Sequence, residues 1–243
     1  RWLAFHGGFF SDAEVARPLV DEICRRADEA RPDVLADLGG GTGYLLLQVK
    51  ARRAGLDVIN LDACPIQLAE AARRGVRTVQ RSVMDFRRAE LVSGDRRLML
   101  AMRSVLHYLG ESALFPALRH IRHESRPGEA FVHQTASFET PREAECFNAL
   151  YRLMGTHKWY PTVEHMRRCS QEAGWRVKEV IPAASLRLTA HDLALRYRLD
   201  APLLCRIREE IGREYADARD VFHPTREAFI AHLKYEIYVC EAA

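Results

Sequence analysis

Four of the five residues from Gly39 to Gly43 are glycine, and this run constrains the fold more than any other stretch of the chain. Before it lies Val34–Leu38, a short apolar run of strand type. After it, Tyr44-Leu45-Leu46-Leu47 opens an apolar helix. A strand that enters a helix through glycines can take positive φ angles and lets a ligand approach the backbone closely. Exposed N–H groups at the start of the helix suit a carboxylate or phosphate. The spacing is not the GxGxxG of dinucleotide folds. Counted from Gly39, the third glycine would fall at Tyr44, and counted from Gly41 at Leu46. The pattern is Asp-x-Gly-x-Gly-x-Gly, with Asp37 two residues ahead of the first glycine. An acid there receives a cationic group and repels a pyrophosphate.

The surrounding sequence repeats the strand-then-helix order. Strands are predicted at Val34–Leu38, Asp57–Leu61, Arg77–Val83, Leu98–Met102 and Ala130–Gln134, with helices at Tyr44–Ala54, Ile66–Arg73 and Ala113–Glu124 between them. Such alternation predicts an α/β fold with a mostly parallel sheet, helices on both faces and ligands at the carboxyl ends of the strands. Farther on, Pro141–Gly155 and Thr162–Ala173 read as helices, Trp175–Ile181 as a sixth strand, Ala190–Arg196 and Pro202–Arg219 as helices, and Tyr235–Cys240 as a seventh strand. The N-terminal helix is placed at Ser11–Ala30, with Ser11 and Glu14 as a capping box. The expected organisation is an aromatic and helical lid segment over 1–30, a Rossmann-like core over 31–184, a helical insertion over 185–225 that caps the substrate, and the final core strand over 226–243.

Four segments in this order resemble the class I S-adenosylmethionine (SAM)-dependent methyltransferases of small-molecule type. They are Asp37–Gly43, Leu61-Asp62 at the second strand end, Met84-Asp85-Phe86 after the third, and Ser104-Val105-Leu106-His107-Tyr108-Leu109 after the fourth. The resemblance covers about Val34 to Gln134. It implies a Rossmann-like seven-stranded sheet with SAM as cofactor and S-adenosylhomocysteine (SAH) as its product. It also implies that Asp37, Gly39, Gly41, Asp62, Met84, Asp85, Phe86 and Arg103 hold the cofactor, with Asp62 on the ribose hydroxyls and Asp85 on the adenine amino group. Plainer roles remain open beside these. Asp62 fits as a cap of the helix near Pro65, Asp85 as a turn acid, Gly40 as a replaceable small residue, and Tyr108 and Leu109 as core.

Methyl transfer from a sulfonium asks the protein mainly to align the reactants and, for some acceptors, to take a proton. His107 and His133 stand at strand ends and titrate in the useful range, so they are the candidate bases. Either reads equally as a packing residue. Phe10, His157 and Tyr160 are the candidate substrate contacts, from the aromatic N-terminal stretch Trp2–Phe10 and the loop Gly155–Tyr160. No metal is expected, because Arg103 stands where metal-dependent relatives place an acid. His120 and His123 read as surface residues. The fourth strand end reads Met102-Arg103-Ser104, without the Asn/Asp-Pro-Pro-Tyr/Phe of adenine or glutamine amino methylators and without the Pro-Cys of RNA cytosine methylators.

The charge balance, 36 Lys and Arg against 33 Asp and Glu for a net +3, gives nucleic-acid binding little support. No apolar run reaches the ~20 residues needed to span a bilayer. Six dispersed cysteines without a CxxC read as reduced thiols of a cytoplasmic protein. No signal-peptide pattern opens the chain, and since it begins on Arg1, whether residues precede it stays open. The insertion's apolar helical face meets either the core or a second copy of the chain, as a homodimer. The expected function is methylation of a small-molecule acceptor at O, N or C in a biosynthetic or secondary-metabolic pathway. Methylation of RNA or protein, and SAM binding without methyl transfer, are the alternatives.

Overall fold

A computed structural model describes residues 8–243. Of the expected lid segment over 1–30, residues 1–7 lie outside the described residues, and with them most of the aromatic stretch Trp2–Phe10. Nine α-helices and eight strands are described, in the order α1 (Ala13–Ala30), β1 (Val34–Leu38), α2 (Tyr44–Arg52), β2 (Asp57–Asp62), α3 (Pro65–Arg73), β3 (Arg77–Gln80), α4 (Arg88–Leu91), β4 (Leu98–Arg103), α5 (Glu111–His123), β5 (Ala130–Ala136), α6 (Pro141–Leu153), α7 (Val163–Glu172), β6 (Trp175–Thr189), α8 (Ala190–Tyr197), α9 (Ala201–Glu214), β7 (Phe222–Pro224) and β8 (Phe229–Ala242).

The sheet order is β3-β2-β1-β4-β5-β8-β6, with β7 pairing β8 at one end. The first five strands of this order are parallel, and β8 runs antiparallel to both its neighbours. This is the mostly parallel α/β sheet that the alternating pattern predicts, with β7 as an added eighth strand. One sheet face packs on α1 and α2 through Leu19, Ile23, Leu46, Leu35 and Met99. The other packs on α5 and α7 through Leu118, Met166, Leu100 and Phe131. A third apolar cluster joins α6, α8 and α9 to the far ends of β6 and β8.

The structure departs from the sequence expectations in three places. Strand β6 does not stop at Ile181 but continues through Pro182 to Thr189, paired with β8 across a register shift between Ala183 and Leu186. Proline fits because β6 is an edge strand, where the missing N–H leaves no ladder bond unmade. The helical insertion accordingly begins at Ala190 rather than 185. The cap of α1 is Asp12, whose carboxylate accepts from the Glu14 and Val15 N–H groups, while Ser11 Oγ donates to the Gly8 carbonyl. Finally, β3 ends at Gln80, three residues short of the expected boundary.

All six cysteines are free thiols. No helix of the described residues is long and apolar enough to cross a membrane.

Candidate active site

A cavity of about 410 Å³ opens at the carboxyl ends of β1, β2 and β4, and Phe10, Asp37, Asp62, Arg103, Tyr108 and Arg196 are among the residues that line it. The glycine loop forms one wall. Gly39, Gly41 and Gly43 take positive φ angles, and the Gly39 and Gly40 N–H groups both donate to the Leu61 carbonyl. Gly40 is closely packed, so a larger residue there would have to displace its neighbours. A Cβ at that position would stand 2.1 Å from Asn60 Oδ1 and 2.4 Å from Asp37 Oδ2. Asn60, which the sequence does not single out, holds the loop by donating from Nδ2 to the Gly41 carbonyl at 2.7 Å. The one signal for it is a polar residue inside an otherwise apolar strand.

Asp37 is 1 % exposed, and neither of its carboxylate oxygens has a hydrogen-bond partner. Burial, reinforced by the neighbouring Asp62, pushes its pKa from the ordinary 3.8 up to about 7, while Arg103 acts in the opposite direction. A buried acid without a partner beside a cavity is a receptor for a cation. Asp62 is better satisfied. Its Oδ2 accepts from the Gly41 N–H at 2.9 Å and its Oδ1 from the Cys64 N–H at 2.8 Å. It is not the side-chain cap of α3, whose N-cap is Cys64. Each Asp62 oxygen keeps a second lone pair, so the carboxylate can still accept from two hydroxyls of a ligand.

Arg103 ends β4, and Ser104 then turns the chain out of the strand at a left-handed φ of 62°. The Arg103 guanidinium donates from Nη1 to the Phe10 carbonyl at 3.0 Å and lies 5.7 Å from the Phe10 ring centre. Its Nε and Nη2 are buried without partners. Burial lowers its pKa, opposed by Tyr235, Tyr44 and Asp37. Asp37 and Arg103 thus face one cavity from adjacent strands without forming an ion pair, and each keeps bonding capacity directed at a third party. The ammonium and carboxylate of an α-amino acid are a matching pair of charges. SAM ends in such a group, so the residues present fit it.

The remaining predicted residues are placed less uniformly. Ser82 and Val83 line the cavity, whereas Met84, Asp85 and Phe86 do not. Phe86 is fully buried in the core against His120, and the Asp85 carboxylate accepts from the Ser82 N–H at 2.9 Å, shaping the turn instead. His133 lies under the cavity floor within the sheet. It is fully buried, stacked between Phe131 and Tyr238, and in contact through Nδ1 with Thr135 Oγ1 at 2.7 Å. Burial drives its pKa down to about 3, so it stays neutral and in the core rather than facing an acceptor.

His107 is also buried. It stacks on Tyr160 at 5.3 Å and on Tyr108 at 4.5 Å, and burial, Lys158 and Arg196 lower its pKa well below 6.5. Tyr160 is fully buried among Phe147, Tyr151 and His107, and His157 is exposed; neither lines the cavity. Tyr108 and Leu109, expected as core, do line it, and Tyr108 is 46 % exposed. His120 is half-buried and donates from Nε2 to the Phe86 carbonyl at 3.0 Å, so it is not a plain surface residue.

Arg196 of α8 reaches over the cavity and donates from Nη2 to the Tyr108 hydroxyl at 2.8 Å. This contact joins the helical insertion to the loop after β4. Sequence alone offers Arg196 only as one of many insertion arginines.

Comparison with known proteins agrees with this geometry. No curated protein matches the chain in sequence. Among solved structures, the YcgJ protein of Bacillus subtilis superposes with a TM-score of 0.72 at 16 % identity, over 93 % of this chain and 98 % of that one. Human N-acetylserotonin methyltransferase, solved in complex with SAM, superposes with a TM-score of 0.55 at 13 % identity, over 92 % of this chain and 51 % of its own. Geranyl diphosphate C-methyltransferase of Streptomyces coelicolor, solved with Mg²⁺, geranyl diphosphate and SAH, gives 0.52 at 14 % identity, over 87 % and 71 %. Residues 11–180 of the 243 match the family profile of the methyltransferase domain. With the glycine loop and the partnerless acid at its base, that match means that the chain belongs to the methyltransferase-domain family, whose SAM-dependent members share this fold and cofactor.

Proposed function

We propose that the protein transfers the methyl group of SAM to an O, N or C nucleophile of a small molecule. The observation that carries this reading is the roof of the cavity. Phe10 covers it from the N-terminal side and Arg196 from the helical insertion, so an acceptor enters a partly closed pocket rather than lying along an open groove. A polymer would need an open track, and the near-balanced net charge gives a nucleic-acid acceptor no added support.

SAM supplies an already activated methyl group, so the protein's share is binding and alignment. Asp37 receives the ammonium, Arg103 the carboxylate and Asp62 the ribose hydroxyls. Gly39, Gly40 and Gly41 let the backbone come close to the ligand. Phe10 holds Arg103 in place and excludes water. The buried His107 supports the Tyr108 ring from behind. Among the described residues no imidazole lines the cavity, and an acceptor that arrives already deprotonated or with a lone pair free fits that lining. The free, dispersed cysteines support action in a reducing compartment such as the cytoplasm, in a biosynthetic pathway.

The test is incubation with methyl-labelled SAM and fractionated metabolites, beside RNA and protein fractions. Label in a low-mass product supports the reading, and label confined to macromolecules overturns it. Asp62→Ala should weaken SAH binding about tenfold or more through the lost charge-assisted bonds. An unchanged affinity would remove Asp62 from the site.

A further inference from the structure

The cavity is lined by charges of both signs. Strand order places Asp62, Asp37 and Arg103 in sequence along β2, β1 and β4, and Arg196 follows above Tyr108. Asp62, Asp37 and Arg103 belong to the cofactor end, and Arg196 is the further charged residue of the lining. Behind Tyr108 stands another cation. Lys158 Nζ lies 4.1 Å from the Tyr108 ring centre and 5.5 Å from those of Tyr151 and Tyr197, and it donates to the Tyr197 hydroxyl at 2.8 Å. The loop that carries it is fastened to the 3₁₀ turn Leu106–Tyr108 by the bond from the Trp159 N–H to the His107 carbonyl. Among the described residues, Lys158 has no carboxylate within ion-pair distance. The groups facing it are His107 and Tyr108 from the turn, Tyr151 from α6, and Arg196 and Tyr197 from α8; none is an acid. A half-buried ammonium supported only by aromatic faces and a phenol raises the positive potential of the cavity around Tyr108.

We infer that the acceptor is a small molecule with an apolar body and a carboxylate, and that the carboxylate docks against Arg196 with Lys158 behind it. This rests on the small-molecule reading above and adds the charge of the substrate. The apolar body lies along Tyr108 and Leu109, which line the cavity with Arg196. Arg196 already donates from Nη2 to Tyr108 and still brings a positive charge that attracts a carboxylate, while Lys158 acts through the field and through the placement of Tyr108. The cofactor's own carboxylate is a separate matter, since Arg103 lies beside Asp37 on the neighbouring strand.

Binding to the SAH-saturated protein tests this, because the cofactor's carboxylate is then already in place. The probes are small aromatic carboxylic acids, each paired with its primary amide, measured by calorimetry. The acids should bind about tenfold or more tightly than their amides. Arg196→Met should bring the ratio to within about twofold, and Arg196→Lys should restore part of it. Lys158→Met should lower the ratio and remove its pH dependence. In the parent, acid binding should weaken as pH rises past about 7, the value to which burial and Arg196 lower Lys158. A cooperative thermal unfolding transition like the parent's in all three variants shows that they fold. Acids and amides binding alike in the parent, or a ratio untouched by Arg196→Met, would overturn the inference. Failure of SAH itself to bind would instead strike the cofactor assignment.

Discussion

A buried carboxylate without a partner costs the fold once it ionises, and Asp37→Asn makes that cost, and the proposed role of Asp37 in binding the cofactor, measurable. Its folded pKa of about 7 lies above the ordinary 3.8, chiefly through burial. The stability this group contributes is therefore fully present below about 3.8 and is lost as pH rises through about 7. At 1.36 kcal/mol per pH unit, the gap between the two values makes ionised Asp37 cost the cofactor-free fold about 4 kcal/mol at pH 8. Asparagine has the same shape and carries no charge. Without cofactor, Asp37→Asn should be more stable than the parent at pH 8 by up to about 4 kcal/mol, or about 10 °C in Tm, and little different at pH 4. With saturating cofactor the advantage narrows to about 1 kcal/mol, because the variant binds SAH less tightly. Removing one partner of a buried charge pair costs about 3 kcal/mol, which is about a hundredfold in the Kd for SAH. Urea unfolding at pH 4 and pH 8, with and without saturating SAH, reads both effects. A variant less stable than the parent at pH 8 without ligand, or a stability difference independent of pH, would refute the argument.

Other outcomes follow from single contacts. Gly40→Ala places a methyl group into Asn60 and Asp37, and calorimetry should show SAH affinity reduced about tenfold or more, by the strain of forcing side chains apart. Arg103→Met should weaken SAH about tenfold to a hundredfold through the lost charged bond while leaving 5′-methylthioadenosine, which lacks the amino-acid end, bound as before; equal losses for both ligands would move Arg103 away from the carboxylate. His133→Leu concerns stability and not turnover. The folded pKa of His133 is depressed to about 3, so the stability tied to its neutral form is present above about 6.5 and lost as pH falls toward 3. Thermal unfolding at pH 5 and pH 7.5 should show the leucine variant losing less stability on acidification, with kcat close to that of the parent.

The sheet was legible because its signals are local. Each parallel strand is a short apolar run closed by turn residues, and five of them appear in the order in which the parallel strands are used. The far half was less legible. A proline ends a strand reading at Ile181, and only the pairing with β8 shows that β6 is an edge strand that admits it. The candidate bases show the same limit. His133 occupies a strand end in sequence, but its side chain points into the stack of Phe131 and Tyr238, and strand parity toward a cavity depends on the sheet's neighbours.

What the sequence by itself determined is the cofactor end. Asp37, the glycines and Asp62 sit within 26 residues of one another, on two neighbouring strands and their turns, where composition and spacing dictate backbone shape. What only the tertiary structure decided is the remainder of the pocket. Phe10, Arg103 with Tyr108, Lys158 and Arg196 come from four separate stretches of chain, and no periodicity links them. Their meeting is set by the packing of α8 over the loop after β4 and of the N-terminal segment over Arg103, through contacts that span 93 and 88 residues. Such long-range contacts arise from burial against the whole core, and each stretch alone carries no record of the others.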